Sequence, residues 1–255
     1  MAWVCAASRL AGFVLLTLLL MPLQQVFIWV APSLARSFPH FYHRMLARLL
    51  GFGIRVVGQA VQRGPALIVS NHVSWIDIVV LSAVMPCSFV AKREVARWPF
   101  FGSLARLQRS IFVDRERRKG TDQSRDEMAE RLKQGDIIVL FPEGTSSNGR
   151  NVRPFRSPYF GAAEGQTLPI IPVTLAYVAA GGLPMSGRER PSYAWHGDMD
   201  LAPHLWTALK SGPITVEVIF HDPLRAGTRK AMASEAEALI RQSLAEALHG
   251  RRKKG

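Results

Sequence analysis

A histidine and an aspartate follow the apolar run Ala66–Ser70, in the segment NHVSWID of residues 71–77. His72 and Asp77 are five positions apart, a spacing that suits a strand-to-helix turn better than one face of a helix. A histidine held by a carboxylate can act as a general base, because the carboxylate fixes the tautomer and stabilises the imidazolium that forms. The spacing alone leaves a structural histidine beside a helix-capping aspartate as the alternative.

Two more polar segments follow apolar runs, where sheets with helical crossovers usually bind ligands. Arg115 ends the segment IFVDR, and an arginine there can hold a phosphate or a carboxylate with two hydrogen bonds. The alternative is an exposed arginine in the basic run RERRK of residues 115–119. The segment FPEGTSSNG, residues 141–149, leads from an apolar run into a turn of glycines and hydroxyl residues, and Glu143 beside a core strand needs a partner.

The elements that must position these residues alternate along the chain. Near-continuous apolar runs, several of them typical of strands covered on both faces, separate helical stretches beyond residue 60. We therefore predict an α/β fold: a single domain with a mixed, largely parallel sheet flanked by helices. The candidate strands are Ala66–Ser70, Cys87–Lys92, Ile111–Asp114, Ile137–Phe141, Ile170–Tyr177 and Ile214–Phe220.

Two helices carry signals for their ends. The stretch Thr121–Gln134 is amphipathic, opens with a threonine and an aspartate, and is followed by Gly135. Ser234 with Glu237 forms the pattern of a capping box, which predicts the start of a last helix that ends near Gly250.

The N-terminal part is strongly apolar, with no charged residue from Leu10 to Ala35. A helix of that length exceeds the ~30 Å hydrocarbon core of a bilayer. Pro22, Gln24 and Gln25 interrupt the run, so a bent or hairpin segment in one leaflet competes with a clean span. A cleaved signal peptide ending near Ala35 and a buried soluble helix also compete with a membrane anchor.

We expect residues 1–50 to anchor the chain in a membrane, as one span or a re-entrant helical hairpin. We expect residues 51–250 to form the catalytic domain and residues 251–255 to form a basic C-terminal tail. Arg36, Arg44 and Arg48 follow the apolar run, so the positive-inside rule favours a domain on the cytoplasmic side. We expect the membrane to be the inner (plasma) membrane.

Composition narrows the class of protein. A hydrophobic fraction of 48% excludes a disordered chain, and two cysteines are too few for a disulfide-stabilised fold of 255 residues. Lys and Arg number 32 against 19 Asp and Glu, a net charge of +13, which is concentrated in residues 115–119, 150–156 and 251–254. Because no nucleic-acid-binding motif accompanies these basic runs, we predict membrane lipids and not nucleic acid as partners.

The order and spacing of four segments resemble the glycerolipid acyltransferase family, which includes the 1-acylglycerol-3-phosphate acyltransferases. The matching segments are NHVSWID, IFVDR, FPEGT and the proline-flanked LPIIPV of residues 168–173. The resemblance runs from about Ala66 to Tyr177 and implies that His72 is the base, oriented by Asp77. It also implies that Arg115 and the loop Phe141, Pro142, Glu143, Gly144 and Thr145 hold the acceptor headgroup.

Two positions depart from the family pattern. Arg109 stands where the family usually has glycine, and Ser146 stands where many members have an arginine that grips glycerol phosphate. The SSNG continuation and the stretch YAWHGDMDLAPHLW, residues 193–206, look more like the branch that includes lyso-ornithine lipid acyltransferases. Arg150, Arg153 and Arg156 are candidates to replace the missing arginine.

The resemblance implies acyl transfer from acyl-CoA or acyl carrier protein to the free hydroxyl of a lyso-lipid. We expect 1-acylglycerol-3-phosphate as the acceptor first and lyso-ornithine lipid as the alternative, with no cofactor and no metal ion. A covalent route through Ser74 or Cys87 is the weaker mechanism. A thioesterase and a membrane-bound lipid-binding protein without catalysis are the rival functions. The sequence leaves the oligomeric state open.

Overall fold

A computed structural model describes residues 1–114, 118–164 and 168–250 of the chain. Within these residues, eight strands form one sheet, in the order β1-β8-β6-β2-β5-β3-β4, with β7 beside β6. The strands are β1 (Phe52–Val57), β2 (Ala66–Ser70), β3 (Ser88–Lys92), β4 (Ile111–Val113), β5 (Ile137–Leu140), β6 (Ile170–Ala180), β7 (Leu183–Pro184) and β8 (Ile214–Phe220).

The sheet is mixed and mostly parallel, which confirms the predicted fold class. β6 pairs antiparallel with β8 and β7, and the other neighbouring pairs are parallel. Alternate residues of β2 enter two separate core clusters, Ile68 in one and Leu67 in the other. This two-sided burial explains why the strand is apolar at every position before Ser70.

Helices cover both faces of the sheet and precede it. They are α1 (Ala2–Val30), α2 (Pro32–Leu50), α3 (Ile76–Val84), α4 (Phe101–Leu107), α5 (Arg118–Lys133), α6 (Leu201–Ser211) and α7 (Arg229–Leu248). α5 begins three residues before the predicted start at Thr121. Short 3₁₀ turns lie at Arg93–Arg97, Ser157–Ala162 and Arg190–Ser192.

The predicted capping box of the last helix is wrong. Thr228 is the N-cap of α7, and its side-chain oxygen accepts the backbone N–H of Ala231 at 3.3 Å. Glu237 lies inside the helix, and its carboxylate accepts the backbone N–H of Phe155 at 2.7 Å. A tertiary contact therefore uses the residue whose local spacing suggested a cap.

The apolar N-terminus folds as a helical hairpin that breaks later than predicted. Pro22 lies within the continuous helix α1, and the break falls at Ala31, with φ −145° and ψ 72°. Ala31 precedes Pro32, whose ring disfavours the helical conformation of the residue before it. Contacts such as the hydroxyl pair Thr17–Tyr42, at 2.7 Å, join the two antiparallel helices.

α1 lies along the folded domain and does not stand apart from it. Ala6, Phe13 and Thr17 are buried, and the guanidinium of Arg9 donates to the carbonyl of Leu209 on α6. The opposite side of the helix is exposed and apolar, through residues such as Leu15, Leu18, Leu19, Leu23 and Val26. α1 is also long and apolar enough to cross a membrane by length and composition.

Sheet topology brings the sequence segments of interest together. β2 and β5 are parallel neighbours, so their carboxyl ends and the turns that follow them meet at one edge. β6 also runs parallel to β2 and continues past it, since Ser70 at the end of β2 pairs with Val173. The second half of β6 therefore reaches beyond the turn that holds His72.

Candidate active site

The turn after β2 brings His72 onto Asp77, as the sequence predicts. Nδ1 of His72 lies 2.8 Å from Oδ2 of Asp77, which sits in the first turn of α3. The same oxygen accepts the backbone N–H groups of Val73 at 2.6 Å and Ser74 at 3.0 Å. Because a carboxylate only accepts, Nδ1 of the neutral imidazole carries the proton and Nε2 keeps a lone pair.

Tyr177 is a site residue that the sequence analysis missed. Its hydroxyl donates to Oδ1 of Asp77 at 2.7 Å, and both side chains are fully buried. Burial, followed by the charge of Asp77, raises the pKa of Tyr177 well above its usual range, so the hydroxyl stays a donor. In the sequence, the only sign of this role is its place in the strand after LPIIPV. The contact arises because β6 extends beyond the end of β2.

Glu143 holds two loops together by their backbones. Its Oε1 accepts the N–H of His72 at 2.7 Å, and its Oε2 accepts the N–H of Arg153 at 3.0 Å. The side chain is buried, and burial raises the pKa of Glu143 to about 7, although both hydrogen bonds oppose the rise. Glu143 thus has the partners that the sequence analysis required for it.

The remaining residues of this loop lie around the histidine. The ring of Phe141 stacks on His72 at 4.1 Å between centroids, and the N–H of Ser147 donates to the carbonyl of His72 at 2.8 Å. Phe141, Gly144 and Thr145 line a cavity together with His72. Pro142 is buried, and its carbonyl accepts the N–H of Arg156. Headgroup binding by this loop stays a prediction.

The predicted headgroup residue Arg115 lies outside the described residues. The last described residue before Arg115 is Asp114, which follows β4 and pairs with Arg93 at 3.1 Å. The role of Arg115 therefore stays a prediction.

The cavity has a volume of about 800 Å³ and extends from His72 between the N-terminal hairpin and the domain. Its wall is mainly apolar, which suits an acyl chain. Charged side chains of both signs also line it, including Lys92, Glu94 and Asp198. The apolar wall includes Phe13, Leu20, Met21, Leu46, Leu50, Leu104 and Leu205.

A segment that follows the 3₁₀ turn Arg190–Ser192 closes one side of the cavity. The N–H of Trp195 donates to the carbonyl of Val73, and the hydroxyl of Ser146 donates to the carbonyl of Trp195. Trp75 donates from its indole N–H to Nδ1 of His204 on α6 at 3.1 Å. Ser146, the residue in place of the family's arginine, thus joins two loops of the site.

The arginines considered as replacements are exposed and do not contribute to the described cavity wall. The guanidinium of Arg150 donates to the carbonyl of Gly187 at 3.1 Å, and Arg153 contributes its backbone N–H to Glu143. None of the three side chains therefore lines the described cavity, and a role for them in headgroup binding stays a prediction.

The second departure, Arg109, has a backbone explanation. Arg109 has φ +60° and follows α4, where its N–H donates to Arg106 and the N–H of Ser110 donates to Ala105. This is a Schellman motif, whose left-handed position favours glycine. An arginine there costs about 1–2 kcal/mol of backbone strain.

The two candidates for a covalent mechanism are badly placed for it. Ser74 is fully buried and Cys87 is 5% exposed. Burial raises the pKa of the Cys87 thiol far above its ordinary value, which disfavours the nucleophilic thiolate. A covalent route through either residue is therefore disfavoured.

Comparisons with known proteins identify the family of the chain. Residues 53–176 match the family model described as Acyltransferase. The chain is 46% identical over 251 residues to a lyso-ornithine lipid O-acyltransferase of Brucella abortus, covering 94% of each chain. It is 32% identical over 183 residues to a 1-acyl-sn-glycerol-3-phosphate acyltransferase of Neisseria gonorrhoeae, covering 71% of this chain and 69% of the relative.

A solved structure supports the fold. The crystal structure of the 1-acyl-sn-glycerophosphate acyltransferase PlsC of Thermotoga maritima superposes with a TM-score of 0.61 at 20% identity, covering 96% of this chain and 100% of that one. The family match and the relatives define an enzyme of the acyltransferase class. The chain belongs to the family that includes lyso-ornithine lipid O-acyltransferases and 1-acyl-sn-glycerol-3-phosphate acyltransferases, and it is an O-acyltransferase associated with membranes and their lipids.

Proposed function

We propose that the chain transfers a fatty acyl group from an acyl thioester to the hydroxyl of a lyso-ornithine lipid. The relative with that name is 46% identical over nearly the whole chain, against 32% over 71% of it for the relative named for glycerol phosphate. The acceptor that the sequence analysis put second is therefore the one we propose.

The charges in the cavity wall support this acceptor. Ornithine whose α-amine is acylated carries a carboxylate and one ammonium group, whereas lysophosphatidate carries a phosphate of higher negative charge. Lys92, Glu94 and Asp198 offer both signs of charge to the cavity, and Ser146 is neutral where many family members have an arginine. A zwitterionic headgroup matches this mixed set better than a phosphate does.

The proposed reaction is a direct transfer with His72 as general base. Nε2 takes the proton of the acceptor hydroxyl as its oxygen attacks the thioester carbonyl, and Asp77 stabilises the imidazolium that forms. The carbon–sulfur bond then breaks, and the imidazolium returns the proton to the departing thiolate. The acceptor oxygen supplies the electron pair of the new carbon–oxygen bond, and the sulfur keeps the pair of the broken carbon–sulfur bond. The proton passes from the acceptor to the thiol through His72, so the step needs no cofactor or metal ion.

We place the hairpin of α1 and α2 in one leaflet of the inner membrane, with the domain on the cytoplasmic side. The buried contacts of Ala6, Phe13 and Thr17 favour a helix that lies beside the domain over one that crosses the bilayer. Arg44 and Arg48, exposed on α2, favour the cytoplasmic side. The donor is then a cytoplasmic thioester, either acyl-CoA or acyl carrier protein.

A panel of acceptors tests the proposal. Purified protein in vesicles receives lyso-ornithine lipid or lysophosphatidate, each with acyl-CoA or acyl carrier protein, and His72→Ala serves as the blank. We expect diacylated product from lyso-ornithine lipid and none from the blank. Product from lysophosphatidate alone would overturn the proposed acceptor, and free fatty acid without new diacyl lipid would indicate a thioesterase.

A further inference from the structure

Three arginines surround one buried aspartate at the junction of the hairpin and the domain. Nε of Arg36 lies 3.0 Å from Oδ1 of Asp136, and Nη2 of Arg109 and Nε of Arg131 lie 3.0 Å and 2.5 Å from Oδ2. We call Arg36, Arg109 and Arg131 the arginine cluster. Arg36 belongs to α2, while Arg109 follows α4 and Arg131 lies on α5.

The cluster has more positive charge than its aspartate neutralises. Three guanidinium groups share one carboxylate, which leaves a charge excess of two. Arg131 uses its other nitrogens on the carbonyl of Arg109 and the hydroxyl of Ser88. Burial, followed by the charge of Arg131, lowers the pKa of the Arg109 guanidinium, as expected where cations crowd.

Arg36 has hydrogen-bonding capacity to spare. Its side chain is 39% exposed, and Asp136 is the partner that the described part of the chain gives it, through Nε. A partly exposed guanidinium group with unused donors can hold two phosphate oxygens at once. The side chain of Arg109 is 21% exposed beside it.

The backbone at Arg109 is strained to build this cluster. The residue holds φ +60° at the left-handed position of a Schellman motif, which favours glycine. A glycine there would leave the helix end intact, so the helix does not require the arginine. The hydrogen bonds of its guanidinium to Asp136 are the contacts that this choice of residue adds.

One member of the cluster, Arg36, lies close along the chain to the exposed apolar end of the hairpin. Trp29 and Val30 at the end of α1 are 73% exposed, and Leu34, two residues before Arg36, is 48% exposed. The amide of Gln24 donates to the carbonyls of Ala35 and Leu107, which fixes α1, α2 and the end of α4 at this junction. Arg36 is the fifth residue of α2, so it lies within two helical turns of this exposed apolar end of the hairpin.

We propose that the arginine cluster binds the phosphate of an anionic phospholipid in the surrounding bilayer. The apolar side chains would lie among the acyl chains while Arg36 and Arg109 meet the headgroup, which sets the depth and tilt of the hairpin. This binding is separate from the acceptor proposed above, because it concerns a lipid that is not consumed.

Vesicle binding tests the proposal with two variants and a matched control. Partition of the protein is measured into phosphatidylcholine vesicles with and without phosphatidylglycerol. Arg36→Gln removes the exposed guanidinium, and Arg109→Gly removes another while relieving the positive φ. Arg44→Gln removes an exposed arginine of the same helix outside the cluster. Activity in detergent micelles and the thermal unfolding midpoint report on the fold.

We expect phosphatidylglycerol to raise the partition of the wild-type protein into vesicles. In each cluster variant this increase should be about tenfold smaller, equivalent to the loss of one charge-assisted contact. Binding to phosphatidylcholine and activity in micelles should stay within about twofold of wild type, and Arg44→Gln should keep most of the gain.

Three outcomes would overturn the proposal. An equal loss in Arg44→Gln would show a diffuse charge effect. A loss on both vesicle types would show that the cluster only holds the hairpin in place. Stabilisation of the protein by inorganic phosphate, with no gain from phosphatidylglycerol, would show a site for the free ion.

Discussion

Replacing Asp77 by asparagine removes one charge and leaves the shape of the site. Three N–H groups, from His72, Val73 and Ser74, point at Oδ2 of Asp77. The asparagine must therefore place its oxygen there and its amino group toward Tyr177, whose hydroxyl can turn to accept. Since Nδ1 of His72 keeps its acceptor, the imidazole keeps its tautomer, and the variant tests the charge alone.

The size of the effect follows from the geometry. With 2.8 Å between Nδ1 and Oδ2, the centres of the two charges are about 4 Å apart. At an effective dielectric constant of about 20, the attraction between imidazolium and carboxylate is then about 4 kcal/mol. The imidazolium is only partly formed in the transition state, so we expect a loss of about 2–4 kcal/mol. Asp77→Asn should therefore lower kcat by about 30- to 1000-fold.

The assay is the initial rate of diacyl lipid formation at saturating acceptor in vesicles. Asp126→Asn, whose side chain is 75% exposed on α5, is the matched control and should keep wild-type activity. Thermal unfolding of both variants checks that the fold is retained. A folded Asp77→Asn protein within about threefold of the wild-type rate would refute the role of the carboxylate, provided that His72→Ala is inactive.

Tyr177→Phe should lower the free energy of unfolding by about 1.5–3 kcal/mol, because the buried carboxylate of Asp77 loses a donor; chemical denaturation measures it, and an unchanged midpoint would contradict it. Burial raises the pKa of Glu143 from 4.5 to about 7, so its protonation stabilises the folded state below pH 4.5 and this contribution is lost as the pH rises through 7. Glu143→Gln should remove up to ~3 kcal/mol of that pH dependence, seen by comparing thermal unfolding at acid and neutral pH; parallel profiles would argue against the shift. Met21→Trp narrows the cavity and should favour shorter acyl donors about fourfold per excluded methylene in a chain-length panel, whereas the neighbouring Leu19→Trp, on the exposed side of α1, should leave the preference unchanged.

The N-terminal hairpin shows what local sequence signals can and cannot predict. The uncharged stretch predicts an apolar helical segment, and Pro22 indicates a bend, but the helix passes through Pro22 and breaks before Pro32. Gln24, which looks like an interruption in the sequence, instead donates to two carbonyl groups of other helices. A local pattern cannot distinguish a polar residue that ends a helix from one that joins it to a neighbour.

Strand β1 was missed for a related reason. Phe52–Val57 lies at the edge of the sheet, and its exposed positions include Gly53, Arg55 and Val56. An edge strand is covered less than a central one, so its sequence lacks the continuous apolar run that marked β2 and β5.

The sequence by itself determined the fold class, the central strands and the pair His72 and Asp77. These features depend on short-range patterns: buried strands are apolar along nearly their whole length, and a five-residue turn places an aspartate beside a histidine. Their order along the chain also determined the family, since four short segments rarely recur together by chance.

The tertiary structure alone decided what holds that pair in place. Tyr177 reaches Asp77 from 100 residues away because β6 continues beyond β2, and Glu143 reaches the backbone of His72 because β2 and β5 are parallel neighbours. The arginine cluster around Asp136 likewise joins residues of three helical regions. Such contacts depend on strand order and on how far each strand extends, which no local spacing in the chain records.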